Sequence, residues 1–516
     1  MAHYDIIIIG TGTGGGTMAR KLAATGKKIL ILERGGFIPK EKENWDPVEV
    51  VEKGRYRPKQ VWYDKDEKPF TPFIYYAVGG NSKAYGAAAF RLREKDFTEY
   101  STPAGISPAW PLSYADLKPY YDEAERLMYV HGQRGADPTE PFTDSEYPFT
   151  PIAVESFTKE LFENIRQTGV QAYPIPMALR LPQDEGGRPD APMTLANFDG
   201  FPDPTECKSD AHVLGIRPAL QHPNVGLITQ ALATQLETDA TGRKVKRVIV
   251  EKEGETCVFD CDMVILAAGA VNSAALLLQS RSLVHPNGLG NANGVLGTHL
   301  MKHINGCMIA FTPNKLNDSI FQKYFCIGDY YWGDAHYPHP MGEIQLMGKN
   351  DPATYLWNPP DVFKGKDAQY IGQHAIDFWL TAEDVPQAAN RIGFTSKGDI
   401  QLFYYPEKNN LASYETLKLR LKQIMEAVGR TDRGMQEIYW GGYDLGVDGL
   451  SHQCGTMRFG ADPADSVLDV HCRLHTVQNL YVADASFFPS CGAYNPSLTI
   501  AANALRVADF IIRDVL

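Results

Sequence analysis

The sequence predicts an α/β fold in which a discontinuous Rossmann-like nucleotide-binding domain is interrupted by a second, α+β domain. Three observations predict this arrangement. An apolar strand runs into a glycine-rich turn at the N-terminus, a second apolar strand ending in small residues occupies residues 262–270, and a third occupies residues 480–486. Because strands of one nucleotide-binding sheet lie so far apart in the chain, other elements have to be inserted between them.

The first strand and its turn have the form of a dinucleotide-binding motif. Residues 4–9 include four consecutive isoleucines, which is typical of a fully buried parallel strand. Gly10, Gly12 and Gly15 then make a Gly-x-Gly-x-x-Gly turn. In such a turn Gly10 permits the tight bend, Gly12 lets the backbone approach a pyrophosphate, and Gly15 lets helix and strand pack closely.

A helix and a second strand complete a βαβ unit. Residues 17–25 are good helix formers, and Gly26 is suited to end the helix. The apolar strand at 28–32 ends on Glu33, about twenty residues beyond the glycines, where a carboxylate accepts hydrogen bonds from a ribose. The unit predicts a dinucleotide site, with a plain βαβ unit as the alternative, and does not distinguish NAD from FAD.

Composition excludes several classes of function. The 516 residues are enough for roughly two or three domains, and 44% hydrophobic with 22% charged residues is ordinary for a soluble globular protein. A net charge of -12 argues against nucleic acid or an anionic membrane surface as a partner. No uncharged apolar run reaches about eighteen residues, so we expect no membrane span.

Signals for export and for metal binding are not found in the sequence. The first strand begins almost at once and leaves no room for a signal peptide, so we expect a cytoplasmic protein, with export beside a partner subunit left open. Eight cysteines are scattered along the chain, which favours reduced thiols. Cys257 and Cys261 have no histidine or cysteine partners nearby, and no metal site is predicted.

A second stretch of glycines and small residues lies at 77–87. Such a stretch lets the backbone approach a large flat ligand. A tight loop packed on a sheet is an equally good interpretation of the stretch alone.

The middle of the chain mixes helices, strands and irregular segments. Apolar spacing predicts helices over 97–130 and 157–168. Residues 310–446 are rich in Tyr, Trp and Phe, and we expect a mixed β layer that faces the substrate, with a long helix at 411–428. Two irregular segments rich in Pro, Asp and Gly, expected to be lids or domain crossings, lie at 133–151 and 180–205.

The nucleotide-binding sheet is expected to continue after residue 220. Strands are predicted at 225–229, 244–251 and 257–259. The apolar strand at 262–270 then leads into a helix at 273–279, which repeats the order of elements at the N-terminus.

The C-terminal segment carries the most chemistry. A polar, glycine-punctuated loop lies at 451–460, and the strand at 480–486 ends in an acid and small residues. A final helix follows, with Pro496 as its first residue and Asn495 as its cap. The start of that helix carries a positive partial charge.

Taken together in this order, the motifs resemble the glucose–methanol–choline (GMC) family of FAD-dependent oxidoreductases, nearest its pyranose oxidase branch. The resemblance covers nearly the whole chain, and it implies a Rossmann-like FAD-binding domain plus an α+β substrate domain whose mixed sheet is backed by helices. Its motifs are the fingerprint ending in Glu33, residues 79–82, 110–114 with 119–121, 267–273, 294–297 leading to His303, the His452 segment and residues 493–499.

The resemblance divides the chain into five parts. The FAD-binding domain is expected to comprise residues 1–100, 205–309 and 450–516, the last of which carries the catalytic pair. The substrate domain is expected to comprise residues 101–204 and 310–449.

The resemblance also implies a catalytic pair. His452 corresponds to the histidine that accepts the hydroxyl proton of an alcohol, and Asn495 corresponds to the His or Asn that orients the hydroxyl group. A hydrogen-bonded structural role is the alternative for any histidine, but the Gly-Thr that follows and Asn495 downstream favour catalysis at His452. Gln453 departs from the proline found beside this histidine in many relatives. His303 and His475 are expected to line the flavin region.

An FAD cradle is implied as well. Asp484 is expected at the ribityl or pyrophosphate part, with an ordinary loop carboxylate as its alternative, and the helix start at Pro496 is expected at the flavin N1/C2 carbonyl edge. Ala84 stands where some relatives tether FAD through a histidine, so non-covalent FAD is expected. The expected cofactor-binding residues are Gly10, Gly12, Thr13, Gly14, Gly15, Glu33, Arg34, Gly79, Gly80, Asn81, Ser82, Ala84, Ala268, Gly269, Asn272, Asp484, Ala485, Pro496 and Ser497.

The expected activity is oxidation of an alcohol group on a sugar, glycoside or polyol by hydride transfer to flavin N5. The alternatives are a steroid-like alcohol as substrate, a flavoprotein subunit of a membrane-bound dehydrogenase complex, and a non-catalytic or lyase-like FAD protein. Oxygen, a quinone or a redox protein is expected to accept the electrons, and the oligomeric state stays open. Side chains that suit either a carbohydrate ring or a core are Tyr324, Tyr330, Tyr331, Trp332, Gln345, Gln373, His374 and Trp379.

Overall fold

The computed structural model describes residues 2–181, 197–357 and 359–516. Residues 182–196, within the predicted irregular segment 180–205, lie outside the described residues. The α-helices are α1 (Thr13–Ala23), α2 (Tyr114–Leu127), α3 (Ser156–Gln167), α4 (Arg217–Ala219), α5 (Ala270–Gln279), α6 (Ala368–Gly372), α7 (Leu411–Thr431) and α8 (Ser497–Asp514).

The strands fall mainly into two large sheets. In the first half of the chain they are β1 (Ala2–Ile9), β2 (Ile29–Leu32), β3 (Trp62–Tyr63), β4 (Pro69–Phe70), β5 (Tyr100–Thr102), β6 (Gly105–Ser107), β7 (Val130–His131), β8 (Ala172–Pro174), β9 (Met177–Ala178), β10 (Val225–Ile228), β11 (Ala231–Thr238) and β12 (Val245–Lys252). In the second half they are β13 (Glu255–Leu266), β14 (Ile304–Phe311), β15 (Phe325–Ile327), β16 (Glu343–Leu346), β17 (Ala375–Ala382), β18 (Arg391–Phe394), β19 (Ile400–Phe403), β20 (Tyr439–Asp444) and β21 (Leu480–Val482).

The first large sheet is built around the isoleucine-rich N-terminal strand. Its order is β10-β2-β1-β13-β12-β11, and β21 also pairs with β13. Strands β10, β2, β1, β13 and β21 run parallel, whereas β12 pairs antiparallel with both β13 and β11. Ile6 to Ile9 are buried between β2 and β13, because both faces of a parallel sheet are covered. The carboxyl ends of the parallel strands therefore meet at one edge.

The second large sheet forms a separate layer with its own core. Its order is β20-β14-β17-β16-β15-β8, and its described strand pairs are antiparallel. Helices α3 and α7 pack behind it, with Leu161, Leu417 and Leu421 in the shared core. This architecture confirms the predicted α/β class and the helix-backed second sheet, but that sheet, expected to be mixed, is antiparallel in all its described pairs. The domain limits set from the sequence stay predictions.

The structure corrects the predicted helix over 97–130. A hairpin of β5 and β6 occupies part of that range, and the helix starts only at Tyr114. Prolines at 108 and 111 lack the N–H that a helix needs, and the Ser113 side chain caps the helix by accepting from the Asp116 N–H. The predicted helices at 157–168 and 411–428 are found as α3 and α7 with small shifts of their ends.

The predicted cap of the last helix is also corrected. Pro496, not Asn495, occupies the N-cap position of α8, and the Asn495 side chain instead contacts Gln345 and His452. The strands predicted at 257–259 and 262–270 form the single long strand β13, and α5 already begins at Ala270. No helix among the described residues is both long and apolar enough to cross a bilayer.

Candidate active site

A large cavity of about 740 Å³ opens at the carboxyl ends of β1, β2 and β13. It is lined both by the glycine turn and by the predicted catalytic pair, His452 and Asn495. Gly15 and Gly79, by contrast, are outside its lining. The predicted residues that line it are Gly10, Gly12, Thr13, Gly14, Glu33, Arg34, Gly80, Asn81, Ser82, Ala84, Ala268, Gly269, Asn272, Asp484, Ala485, Pro496 and Ser497.

The N-terminal turn needs its glycines for two different reasons. A Cβ added to Gly14 would lie 1.7 Å from the Ala483 carbonyl oxygen, and one added to Gly15 would lie 2.1 Å from the Gly10 carbonyl oxygen. Gly12 is different, since an added Cβ meets no described protein atom within 4 Å and opens on the cavity. Gly14 and Gly15 therefore pack the turn, while Gly12 leaves room for a ligand.

Glu33 is held at the end of β2 by short-range hydrogen bonds. Its carboxylate accepts from Thr11 Oγ1 at 2.5 Å and from the Gly35 N–H at 2.9 Å. Burial raises the pKa of Glu33. Beside it, the Arg34 guanidinium lies 3.6 Å from the centre of the Tyr76 ring, and this planar pair lines the same end of the cavity.

Asp484 organises the loops around the cavity. Its Oδ2 accepts from the Gly269 N–H at 2.9 Å and from Ser273 Oγ, and its Oδ1 accepts from the Ser486 N–H at 2.9 Å. Both oxygens are thus occupied by protein groups, as in the alternative interpretation of Asp484 as a loop carboxylate. The residue still lines the cavity, so a cofactor contact through it stays a prediction.

Two helix N-termini open on the cavity. Helix α1 follows Gly12 and α8 follows Pro496, and neither receives a capping hydrogen bond from a side chain within the described residues. Their first N–H groups are therefore available donors with a positive helix dipole behind them. Such donors suit the pyrophosphate and the carbonyl edge of a flavin dinucleotide, and the residues present fit FAD.

The predicted catalytic pair lies where two loops are joined. The Met301 N–H donates to the Cys454 carbonyl at 3.0 Å and the Cys454 N–H donates back at 2.9 Å, which holds His303 and His452 side by side. His452 Nδ1 lies 3.0 Å from His303 Nδ1, and His452 Nε2 lies 3.5 Å from Asn495 Nδ2. The geometry leaves one ring nitrogen of His452 facing Asn495.

Electrostatics keep His452 neutral. Burial lowers its pKa well below the ordinary histidine value of 6.5, and His303, Lys302 and Lys323 lower it further. A neutral imidazole has one unprotonated nitrogen, so His452 is able to accept a proton at pH 7.

A buried polar group supports Asn495 from the second sheet. Gln345 Nε2 donates to Asn495 Oδ1 at 2.6 Å and to Glu343 Oε1 at 2.7 Å. Gln345 Oε1 has no partner among the described residues, and Gln345 lines the cavity. Burial raises the pKa of Glu343 to about 8. The pair His452–Asn495 is therefore held from two sides.

The sequence missed several lining residues. Lys323 Nζ pairs with Asp199 Oδ1 at 2.9 Å on the cavity wall, and neither residue has a motif around it. Of the aromatic and amide candidates from residues 310–446, Gln345 and Trp379 line the cavity. Neither His303 nor His475 lines the cavity: His303 is buried behind His452, and His475 lies against Ser466. The start of β11, residues 231–234, lines it without any signal in the sequence.

Family models match most of the chain. A model described as GMC oxidoreductase matches residues 4–305, and a second model with the same description matches residues 419–504.

Known proteins align over nearly the full length. Paromamine 6'-oxidase from Streptomyces fradiae is 27% identical over 530 residues, covering 99% of this chain and 92% of the relative. Fructose dehydrogenase large subunit from Gluconobacter japonicus is 25% identical over 557 residues, covering 99% of this chain and 98% of the relative. The crystal structure of pyridoxine 4-oxidase from Mesorbium loti has a TM-score of 0.64 at 16% identity over 98% of both chains, which is a likeness of fold.

Proposed function

Because the chain belongs to the GMC oxidoreductase family, we propose that it oxidises a hydroxyl group of a sugar, glycoside or polyol, with FAD as hydride acceptor and His452 as base. The family and the class of enzyme predicted from the sequence are confirmed. The observation that carries the finer proposal is that His452 and Asn495 face each other on the wall of the cavity that the glycine turn also lines.

The residues of the pair have complementary tasks. A substrate hydroxyl between them receives a hydrogen bond from Asn495 Nδ2 and donates its own hydrogen to His452 Nε2. His452 then takes the proton as the C–H bond gives up hydride, because an alcohol releases hydride readily only when its proton also leaves. Bound FAD supplies the hydride acceptor. Asn495 cannot act as a base, and its task is to orient the substrate.

The wall near the pair favours a substrate with several polar groups. Asp199, Lys323, Gln345 and Asn350, here called the polar wall, line the cavity. Trp379 supplies an aromatic face on the same wall. An apolar, steroid-like alcohol would bury this charged and polar wall without adding hydrogen bonds to it, which costs binding free energy. The names of two full-length relatives, paromamine 6'-oxidase and fructose dehydrogenase large subunit, agree with a sugar-like substrate.

The FAD is proposed to be bound without a covalent link. Ala84 lines the cavity, and residues 79–85 contain no histidine. Denaturation of the purified yellow protein with acid should release all flavin into the supernatant, whereas flavin retained on the precipitated chain would contradict this.

A second candidate is that the chain is the flavoprotein subunit of a dehydrogenase complex. The full-length relative named as a large subunit motivates it. Purification from the native cell distinguishes a complex from a separate oxidase. A co-purifying redox protein that oxidises the reduced flavin faster than air supports the complex. An isolated chain whose reduced flavin is reoxidised by air supports an oxidase.

Anaerobic bleaching of the flavin tests the substrate class. The purified protein is mixed with sugars, glycosides, polyols and apolar alcohols, and its visible absorbance is followed without oxygen. The proposal expects bleaching by at least one polyhydroxylated compound. Bleaching by apolar alcohols alone would overturn the sugar or polyol assignment.

A further inference from the structure

Two buried histidines are joined through their Nδ1 atoms. His303 Nδ1 lies 3.0 Å from His452 Nδ1, with the ring planes 84° apart. Burial lowers the pKa of His303 to about 4 and that of His452 well below its ordinary value, so both rings are neutral at pH 7. One nitrogen of the contact must then donate and the other accept. The direction of this hydrogen bond decides which nitrogen of His452 is free to act as a base.

The backbone carbonyl of Cys491 determines that direction. His303 Nε2 lies 3.3 Å from this oxygen, which can only accept a hydrogen bond. His303 therefore carries its hydrogen on Nε2 and its lone pair on Nδ1. His452 Nδ1 must donate to that lone pair, which leaves His452 Nε2 unprotonated.

The hydrogen bonds on the opposite side of His452 agree with the same tautomer. Gln345 Nε2 contacts two acceptors, Glu343 Oε1 at 2.7 Å and Asn495 Oδ1 at 2.6 Å, and an amide nitrogen has two hydrogens for them. Because Oδ1 of Asn495 is occupied, this amide presents its Nδ2 donor to His452 Nε2. A donor at that position needs a lone pair on Nε2.

We propose that His303 is a positioning residue that holds His452 in the Nδ1-protonated tautomer, with the bare Nε2 facing Asn495 and the cavity. The inference rests on the proposed role of His452 as the base. When the substrate O–H bond breaks, its proton moves to Nε2 of His452. The resulting imidazolium still donates its Nδ1 hydrogen bond to Nδ1 of His303. His303 itself neither gains nor loses a proton.

The backbone of His303 has an unusual conformation at this contact. Its φ is +66°, in the left-handed region that a residue with a side chain rarely adopts. Strain of this kind is kept where the surrounding structure fixes a residue, often at functional sites. Here the two hydrogen bonds between Met301 and Cys454 fix it, since they pair the loop of His303 with the loop of His452.

Two variants of similar size separate positioning from simple packing. In His303→Asn the amide oxygen lies near the former Nδ1 and still accepts from His452, but the bond to Cys491 is lost. In His303→Gln the amide reaches the former Nε2 position and keeps the bond to Cys491, but His452 Nδ1 loses its acceptor. Both variants are purified with FAD, and the rate of anaerobic flavin reduction by the best substrate is measured.

The positioning role predicts a definite order of rates. His303→Asn should retain most of the wild-type rate, and His303→Gln should lose roughly tenfold or more with unchanged flavin content. A purely structural role predicts the reverse order, since Gln preserves the buried bond to Cys491. If His452→Ala is inactive while His303→Gln equals the wild type, the positioning role is overturned. If His452→Ala keeps full activity, the proposed function itself fails.

The tautomer can be read in the wild-type protein without any turnover. Protein labelled with ¹⁵N in its histidines gives two-bond ¹⁵N–¹H spectra that distinguish a protonated from a bare ring nitrogen, and the His452 signals are those missing from His452→Gln. We expect hydrogen on Nδ1 of His452 at pH 7. Hydrogen on Nε2 instead would contradict the proposal, whatever the stability of the His303 variants.

Discussion

Gln345 donates a hydrogen bond of 2.6 Å to Oδ1 of Asn495, which fixes the amide of Asn495 with its Nδ2 toward His452. The contact joins the second sheet to the start of α8, and it lies in the cavity wall. The orientation of the proposed substrate-binding amide thus depends on a residue 150 positions away in the chain.

Replacing Gln345 should slow flavin reduction. Gln345→Leu frees the Asn495 amide to turn, and a misplaced substrate hydroxyl costs about 10- to 100-fold in rate. Gln345→Glu should be at least as damaging, because one carboxyl group carries at most one hydrogen and cannot donate to both Glu343 Oε1 and Asn495 Oδ1. Stopped-flow reduction with the flavin spectrum as a loading control checks both variants. Wild-type rates in Gln345→Leu would contradict this role.

The glycine turn offers a matched pair of substitutions. Gly14→Ala forces a methyl group against the Ala483 carbonyl and should lower the unfolding free energy of the FAD-free protein by about 1–3 kcal/mol. Gly12→Ala meets no described protein atom within 4 Å, so the FAD-free protein should melt like the wild type. Its methyl group occupies space that opens on the cavity, and FAD binding should weaken. Equal FAD affinity in Gly12→Ala and wild type would count against this site.

The sequence predicts those parts of the site that the backbone forms, namely the glycine turn and the strands that lead to the cavity. Gly12 is visible in the sequence as part of the Gly-x-Gly-x-x-Gly motif, and the positions of β1, β2 and β13 follow from apolar runs. Lys323 and Gln345 could not be found in this way. Gln345 reaches the cavity through the pairing of β16 with strands distant in the chain, Lys323 lies just before β15, and neither residue has a motif around it.

The error over 97–130 has a related cause. The three- and four-residue apolar spacing that predicts this helix lies within α2 and does not mark its start, which the capping box at Ser113 marks instead. Asn495 was similarly misassigned as a cap, because Asn before Pro is a common helix start. Tertiary contacts with Gln345 and His452 decide its role instead.

The rate of flavin reduction should fall only at acidic pH values below 6.5. His452 is active only when neutral, so the rate of flavin reduction falls as His452 becomes protonated. Burial and nearby Lys302 and Lys323 hold the pKa of His452 well below 6.5. The rate should therefore stay level as the pH falls through 6.5 and decline only at more acidic pH. A midpoint at or above 6.5 would be inconsistent with the buried, neutral base.

Glu343 should make the fold more stable at lower pH. Burial raises the pKa of its carboxyl from 4.5 to about 8, so between these values the folded chain holds a proton that the unfolded chain has released. The free energy of unfolding therefore falls as the pH rises across this window. Glu343→Gln should lose less stability than wild type between pH 5 and 8, measured by thermal melting, with the exposed Glu146→Gln as control. Parallel profiles for Glu343→Gln and wild type would refute this.

The half-reaction of His452→Ala tests the central claim most directly. The variant is purified with its flavin, mixed anaerobically with the alcohol that reduces the wild type fastest, and followed by visible absorbance. Removal of the base should abolish reduction by the alcohol while the FAD content and the reduction by dithionite stay unchanged. Alcohol-driven reduction at the wild-type rate would show that His452 is not the base.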